Sequence, residues 1–299
     1  MSAASIAAHL IVGARPEPFL ESLLASLVGA VKTVIVNDNS PGESPHAASF
    51  AKSSFAREGR LVIDRQAFVD FSTARNRCLA LHAEHACGSW VAFVDADEVH
   101  AGAIKRIAAG LDGLPRDYDV VDGYTWHFLA SFDYYTSIER RMMFFRYSPE
   151  LRWEGSVHEQ LRGLHGKRLA LPYVYAHYGH ALSARRHAEK GRHYSGLGAS
   201  GAVLAETELV GIDPRSYFKP EYPRLLRFRG AHPPAAQTQI EQLKIENREE
   251  YALTESIVNE LRTPGRAATN ALRGLNYEQR WRLRTLNPPA RRLMRGAVR

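Results

Sequence analysis

The sequence predicts an α/β protein built on a mainly parallel sheet covered by helices, and three observations carry that expectation. Short apolar runs alternate with helix-period stretches from Ile6 to Leu111. The runs at Val31 to Val36 and Trp90 to Val94 each end abruptly in polar or acidic loops. At 299 residues, 45% of them hydrophobic, the chain can bury a large core.

Taken in order, Ile6 to Val12 is an apolar strand. A turn follows at Arg15-Pro-Glu-Pro18, and Phe19 to Leu27 places Leu20, Leu23, Leu24 and Leu27 on one helical face. Val31 to Val36 is β-branched and stops in Asn37-Asp38-Asn39-Ser40-Pro41-Gly42, where side-chain hydrogen bonding favours turns. Leu61 to Ile63 is a third strand. Ser72 is expected to cap a helix to about Ala86, with Ala74, Cys78 and Leu81 on its inner face. Trp90 to Val94 is a fourth strand, ending in Asp95-Ala-Asp97-Glu98, and a helix spans about Ala101 to Leu111.

From Val120 to Tyr178 aromatic and β-branched segments follow one another without long helices (Tyr124, Trp126, Phe128; Met142 to Phe145; Leu169 to Tyr175), so this section is expected to be mixed or antiparallel. Ser183 is placed as the cap of a basic helix to about Leu197. His232-Pro-Pro234 reads as a linker, and Ile240, Leu243, Tyr251, Thr254, Ile257 and Leu261 form an amphipathic stripe stopped by Pro264 and Gly265. The expected division is a domain over 1–230 and a helical, Arg-rich extension over 231–299.

The formal net charge is +7, but residues 262–299 hold ten Arg and a single acid, Glu278, leaving 29 basic against 31 acidic residues in 1–261. The basicity is local, which argues against nucleic acid as the body's partner. No apolar run approaches the roughly 18 residues of a membrane-spanning helix, and Ile6 to Val12 reads as a strand rather than a signal peptide. A cytoplasmic location is expected. Cys78 and Cys87, on or beside one helix, would lie roughly 13 Å apart along its axis, too far to pair.

Three carboxylates at a strand exit repel one another unless a cation relieves them. Hard Mg²⁺ or Mn²⁺ suits such oxygens and keeps positions for phosphate; the alternative is a solvated helix cap. Asp38 ends a neighbouring strand, where it can accept hydrogen bonds from a base or a ribose, or close a turn. Phe71-Ser-Thr-Ala-Arg75-Asn76 opens a helix, and a helix start beside an Arg favours phosphate. Trp153-Glu-Gly-Ser-Val-His158-Glu159 sets an imidazole beside a carboxylate, either of which can act as a base when partly desolvated. His177-Tyr-Gly-His180 follows a strand, and a neutral ring nitrogen there can ligate a metal. Motifs for zinc hydrolysis, serine hydrolysis, Walker-type nucleotide binding or dinucleotide binding are lacking.

In this order, Val34-Ile-Val-Asn-Asp38-Asn-Ser40, Phe71 to Asn76, Trp90 to Glu98, Gly155 to Glu159, and His177-Tyr-Gly179 followed by Lys190 and Tyr194 resemble a bacterial family 2 glycosyltransferase. The similarity is greatest to the branch that includes lipopolysaccharide-core glucosyltransferases. The resemblance covers roughly residues 5 to 200. It implies a GT-A-type, Rossmann-like fold and an inverting, metal-dependent hexosyl transfer from a nucleotide-diphosphate sugar to a saccharide or lipid-linked hydroxyl, in envelope or polysaccharide biosynthesis. Carried over by position, Asp38 contacts base or ribose, and Arg75, with Asn76, lies near the diphosphate. Asp95 meets ribose or metal, and Asp97 binds the metal with His177 as a further ligand. Glu159 is the base, with His158 beside it. Where the family shows Asn-Glu after the first strand, this chain has Gly13-Ala-Arg15-Pro-Glu17, so Arg15 is a candidate for the donor edge.

Two other readings remain open. A nucleotidyltransferase would use metal and nucleotide on a related sheet, but would bring a Gly-rich basic loop after the first strand, where only Arg15 stands. A nucleic-acid-binding protein would rely on the basic tail alone. The arginines and Trp281, Leu283, Leu286, Leu293 and Met294 offer the tail instead to an anionic membrane face, or form a solvated helix face packed on the domain.

Overall fold

The computed structural model describes residues 5–85, 87–196, 206–282 and 287–295. The strands are β1 (Ile6–Val12), β2 (Thr33–Asp38), β3 (Leu61–Arg65), β4 (Trp90–Phe93), β5 (Glu98–Val99), β6 (Tyr118–Leu129), β7 (Tyr134–Arg146), β8 (Arg152–Glu154), β9 (Gln160–Arg162), β10 (Lys167–His180) and β11 (Leu226–Arg227). One sheet runs β3-β2-β1-β4-β7-β6-β10-β5, with β11 on β7, while β8 and β9 form a separate hairpin. Pairing is parallel from β3 to β4 and between β6 and β10; β7 enters antiparallel to both β4 and β6. The expected α/β class and mixed second half are therefore what forms.

Helices α1 (Leu20–Leu27), α2 (Ala47–Lys52), α3 (Ser54–Arg57), α4 (Phe71–Glu84) and α5 (Ala103–Gly110) connect the early strands. After β10 come α6 (Ala184–Gly196), α7 (Glu206–Leu209), α8 (Pro214–Tyr217), α9 (Gln237–Glu246), α10 (Arg248–Glu260), α11 (Pro264–Arg282) and α12 (Pro288–Arg295). β1 explains why the early strands read as unbroken apolar runs. Its alternate residues Ile6, Ala8, Leu10 and Val12 join the cluster holding Leu20, Leu23 and Leu27 of α1 and Ile104 and Ile107 of α5. Ala7, in between, packs with Cys78 and Leu81 of α4, and Ile11 joins that cluster's rim. Both faces of the strand are covered, and both are apolar apart from His9, buried beside Ala7 and Ile11.

A second, aromatic core forms where β6 and β10 carry Tyr124, Phe128 and Tyr178 against Phe19, Phe132, Ile240, Leu243 and Tyr251. The stripe over 240–261 is thus buried as expected, but as two helices, α9 and α10, broken at Asn247. From the tail, Ala290 and Leu293 of α12 enter the first core, while Arg291 and Arg292 face solvent. Leu197, Leu283 and Leu286 lie outside the described residues.

One local expectation, the cap of the helix after β3, is corrected, and the expectation that the cysteines do not pair holds. The cap of α4 is Asp70, whose carboxylate accepts from Thr73 N at 2.6 Å, and Ser72 sits inside the first turn, donating to Asp70. A carboxylate is the stronger acceptor for an orphan helix N–H. Cys87 lies beyond the end of α4, and both cysteines are buried and unpaired.

Candidate active site

The carboxyl ends of β1, β2 and β4 share one sheet edge, because the three strands are parallel: Val12 pairs with Asp38, and His9 with Phe93. β1 lies between the other two, so the chain leaves it at the point where strand order reverses, the usual ligand crevice of such sheets. Asp38 stands on one side of that exit and the Asp95–Glu98 turn on the other.

The acidic turn is held by two arginines. Arg75, 3% exposed on α4, pairs with Asp95 Oδ1, reaches Glu159 Oε1 at 3.4 Å and lies 4.3 Å from the centre of the Phe93 ring. Arg141 from β7 donates to Asp95 Oδ2 at 2.8 Å and approaches Glu98 Oε1 at 3.1 Å. Burial opposes ionisation of Asp95, but the two guanidiniums outweigh it and bring its pKa down to about 2. Glu98 goes the other way. Its full burial, with Asp95 and Asp97 nearby, outweighs Arg141 and raises it to about 7.

Asp97 has its own partners. Lys190 Nζ lies 2.5 Å from Oδ2 and His177 Nε2 lies 3.3 Å from Oδ1; the Asp97 and Lys190 side chains are each less than a tenth exposed. Burial resists the charge on Asp97, yet His177 and Lys190 hold its carboxyl well below the usual range. β10 delivers His177 because the two-residue β5 pairs antiparallel with it, matching Glu98 to His177, and Tyr178 N donates to Asp97 O at 2.9 Å. α6 then returns over the edge with Lys190. A Cβ at Gly179 would overlap both Asp97 Oδ2 and Lys190 Nζ, so a side chain there would make the pair shift. Beyond it, Arg15 donates to Glu17 at 3.3 Å, and burial, then Asp97, pushes the Glu17 carboxyl up.

The remaining candidates fall into different roles. Asp38 is buried, accepts from Ser40 N at 2.9 Å and has Arg65 at 3.7 Å. Burial raises its pKa less than hydrogen bonds from Ser40 and Ser44 lower it, so the net shift is downward. Asn76 turns away from the edge and clamps the β8–β9 hairpin: it donates to Trp153 O at 2.9 Å and accepts from Trp153 N at 2.8 Å. The hairpin loop carries Glu159 inward, its side chain 13% exposed against Arg75. His158 is exposed and adopts a left-handed φ of 58°. The structure thus gathers Arg75, Asp95 and Glu159 in one network, with Asp97 and His177 in its neighbour. Arg141, Glu17 and Lys190 are the site residues to which sequence reasoning gave no role; Arg141 stands beside Glu139 and Arg140 on its strand, so its charge alone did not single it out.

A divalent ion fits this donor set poorly. Both oxygens of Asp95 meet guanidiniums and Asp97 Oδ2 meets an ammonium, while Asp97 Oδ1 has His177 Nε2 at 3.3 Å but no hydrogen-bond partner. Among the described residues, no group of three or more His, Cys, Asp or Glu is arranged to hold a metal.

The sequence model described as Glycosyl transferase family 2 matches residues 14–167, from the loop after β1 to the start of β10. No curated protein matches the chain. Among solved structures it is similar to mannosyltransferase PcManGT from Pyrobaculum calidifontis, described in complex with GDP-Man and Mn²⁺, at 12% identity and a TM-score of 0.39, covering 90% of this chain and 89% of that one.

Proposed function

The chain belongs to glycosyl transferase family 2, and from that premise we propose that it is an inverting hexosyltransferase. On this reading it moves a sugar from a nucleotide-diphosphate donor to a hydroxyl of a saccharide or lipid-linked acceptor in envelope or polysaccharide assembly, as on the bacterial lipopolysaccharide-core branch. One observation carries the reading: Asp38 and the Asp95–Glu98 turn flank the exit of β1 at the strand-order reversal, and Arg75 ties that turn to Glu159.

The chemistry follows from the residues. Asp38, rigid in its turn, takes the base or ribose. Arg75 sets the position of Glu159 by holding Oε1, and Oε2 receives the acceptor proton. The acceptor oxygen then bonds to the anomeric carbon as the bond to the diphosphate breaks, and the leaving charge develops beside Arg15 and Lys190. One displacement inverts the anomeric centre without a covalent enzyme intermediate. Mg²⁺ or Mn²⁺, implied by the family resemblance, enters no step, because the carboxylates that would hold it are matched by protein cations.

No described helix is long and apolar enough to cross a membrane. Within the same reading, residues 1–230 form the catalytic domain of a cytoplasmic enzyme and 231–299 an extension. Arg291 and Arg292, outward on α12 because its apolar side lies in the core, would meet an anionic membrane face.

The test is a panel of sugar nucleotides with the full chain and saccharide acceptors, following free nucleoside diphosphate. Acceptor-dependent release of nucleoside diphosphate is expected. Release of pyrophosphate instead, or no turnover and no thermal shift with any donor, overturns the proposal.

A further inference from the structure

We propose that Lys190 is the resident cation at Asp97, so that protein cations receive the donor's diphosphate and a nucleoside diphosphate binds without a divalent ion. This rests on the glycosyltransferase reading and adds to it the means by which the edge handles charge. Acidic side chains crowded at a strand exit need a counter-cation, and the fold supplies it internally. The carboxylates of Glu17, Asp95, Asp97, Glu98 and Glu159 are met by Arg15, Arg75, Arg141 and Lys190.

The Lys190–Asp97 pair is built in. Lys190 is 6% exposed, and Gly179 is the bare backbone against which the pair lies. A metal entering at Asp97 would have to evict Lys190 from a buried position or accept a like charge beside it. A phosphate carries the opposite charge to Lys190, and ammonium and guanidinium bind it directly. Arg15 supplies a further donor: its Nη1 is buried and has no hydrogen-bond partner, a deficit that a phosphate oxygen would satisfy.

The experiment titrates UDP and GDP into the full chain by calorimetry, in EDTA and in Mn²⁺, and follows Mn²⁺ uptake by its free-ion spin resonance signal. For the wild type, Kd is expected to differ by less than about threefold between the two media, with no Mn²⁺ uptake in the absence of nucleotide. Lys190→Met removes the internal cation: affinity in EDTA should fall by about tenfold or more, and Mn²⁺, now admitted to Asp97, should restore it. The wild-type arms decide by themselves if that variant does not fold. Nucleotide binding only with Mn²⁺, Mn²⁺ uptake by the free wild type, or undiminished binding by Lys190→Met in EDTA each overturns the inference and leaves the glycosyltransferase reading standing. No binding of either nucleotide in either medium overturns both.

Discussion

At the scale of single residues, the side chains around Glu159 separate chemistry from positioning. Glu159→Gln keeps the contact to Arg75 but removes the proton acceptor, so kcat should fall by about 10²- to 10⁴-fold while nucleoside diphosphate affinity, measured by calorimetry, stays the same. Asn76 acts one step back. Its amide satisfies the N–H and C=O of Trp153, and Asn76→Ala should lower stability by about 1–3 kcal/mol and reduce kcat through a looser hairpin, again without changing nucleotide affinity. Equal loss of nucleotide affinity in that variant would instead place Asn76 at the donor. The acidic turn and Glu159 were legible in the sequence because each sits in a local motif. Arg141 was not, because its partners depend on β7 inserting beside β4. On that strand Arg140 pairs with Asp122 on one face and Arg141 with Asp95 and Glu98 on the other, the alternation expected of neighbours in a strand.

At the scale of elements, what decides legibility is whether a pattern is local. β6, β7 and β10 announce themselves by long aromatic and β-branched runs, whereas β5 has two residues and exists only through its pairing with β10. That unannounced pairing brings His177 to Asp97. The start of α4 is a milder case, since Asp70 and Ser72 are both plausible caps by type. Thr73 N bonds to Asp70, and this hydrogen bond leads the shift of the Asp70 carboxyl below its usual range. Asp70→Ala should therefore cost about 0.5–2 kcal/mol, and Ser72→Ala less than about 0.5 kcal/mol, in denaturant unfolding. A larger loss for Ser72→Ala would return the cap to the serine. The cap's contribution is present above the ordinary carboxylate pKa and fades as pH falls through the lowered one.

For the whole molecule, the cores are lined with histidines kept neutral by burial, a feature composition alone could not reveal because it depends on which of the thirteen histidines face inward. Burial brings His100 and His127 down to about 3 and His187 and His232 to about 4, and lowers His9 and His180 well below the ordinary value. Below pH about 6.5 the unfolded chain takes up protons that the folded one refuses, so stability must fall as pH drops through that range. Glu98 works in the opposite direction. Raised to about 7, it stays protonated in the folded state while the unfolded carboxyl ionises, which cancels roughly one histidine between pH about 4.5 and 7. Asp95, at about 2, loses its contribution only at lower pH. The net expectation is a melting temperature that declines steadily from pH about 6.5 to 4.5. Replacing His100, which is 3% exposed and shifted by burial alone, with Gln should flatten the stability profile there by about 1.4 kcal/mol per pH unit. A profile with the wild-type slope after that substitution would show that His100 is already protonated in the folded protein, and the packing of its ring 4.6 Å from that of Tyr175 would then need a buried counter-charge that no described neighbour supplies.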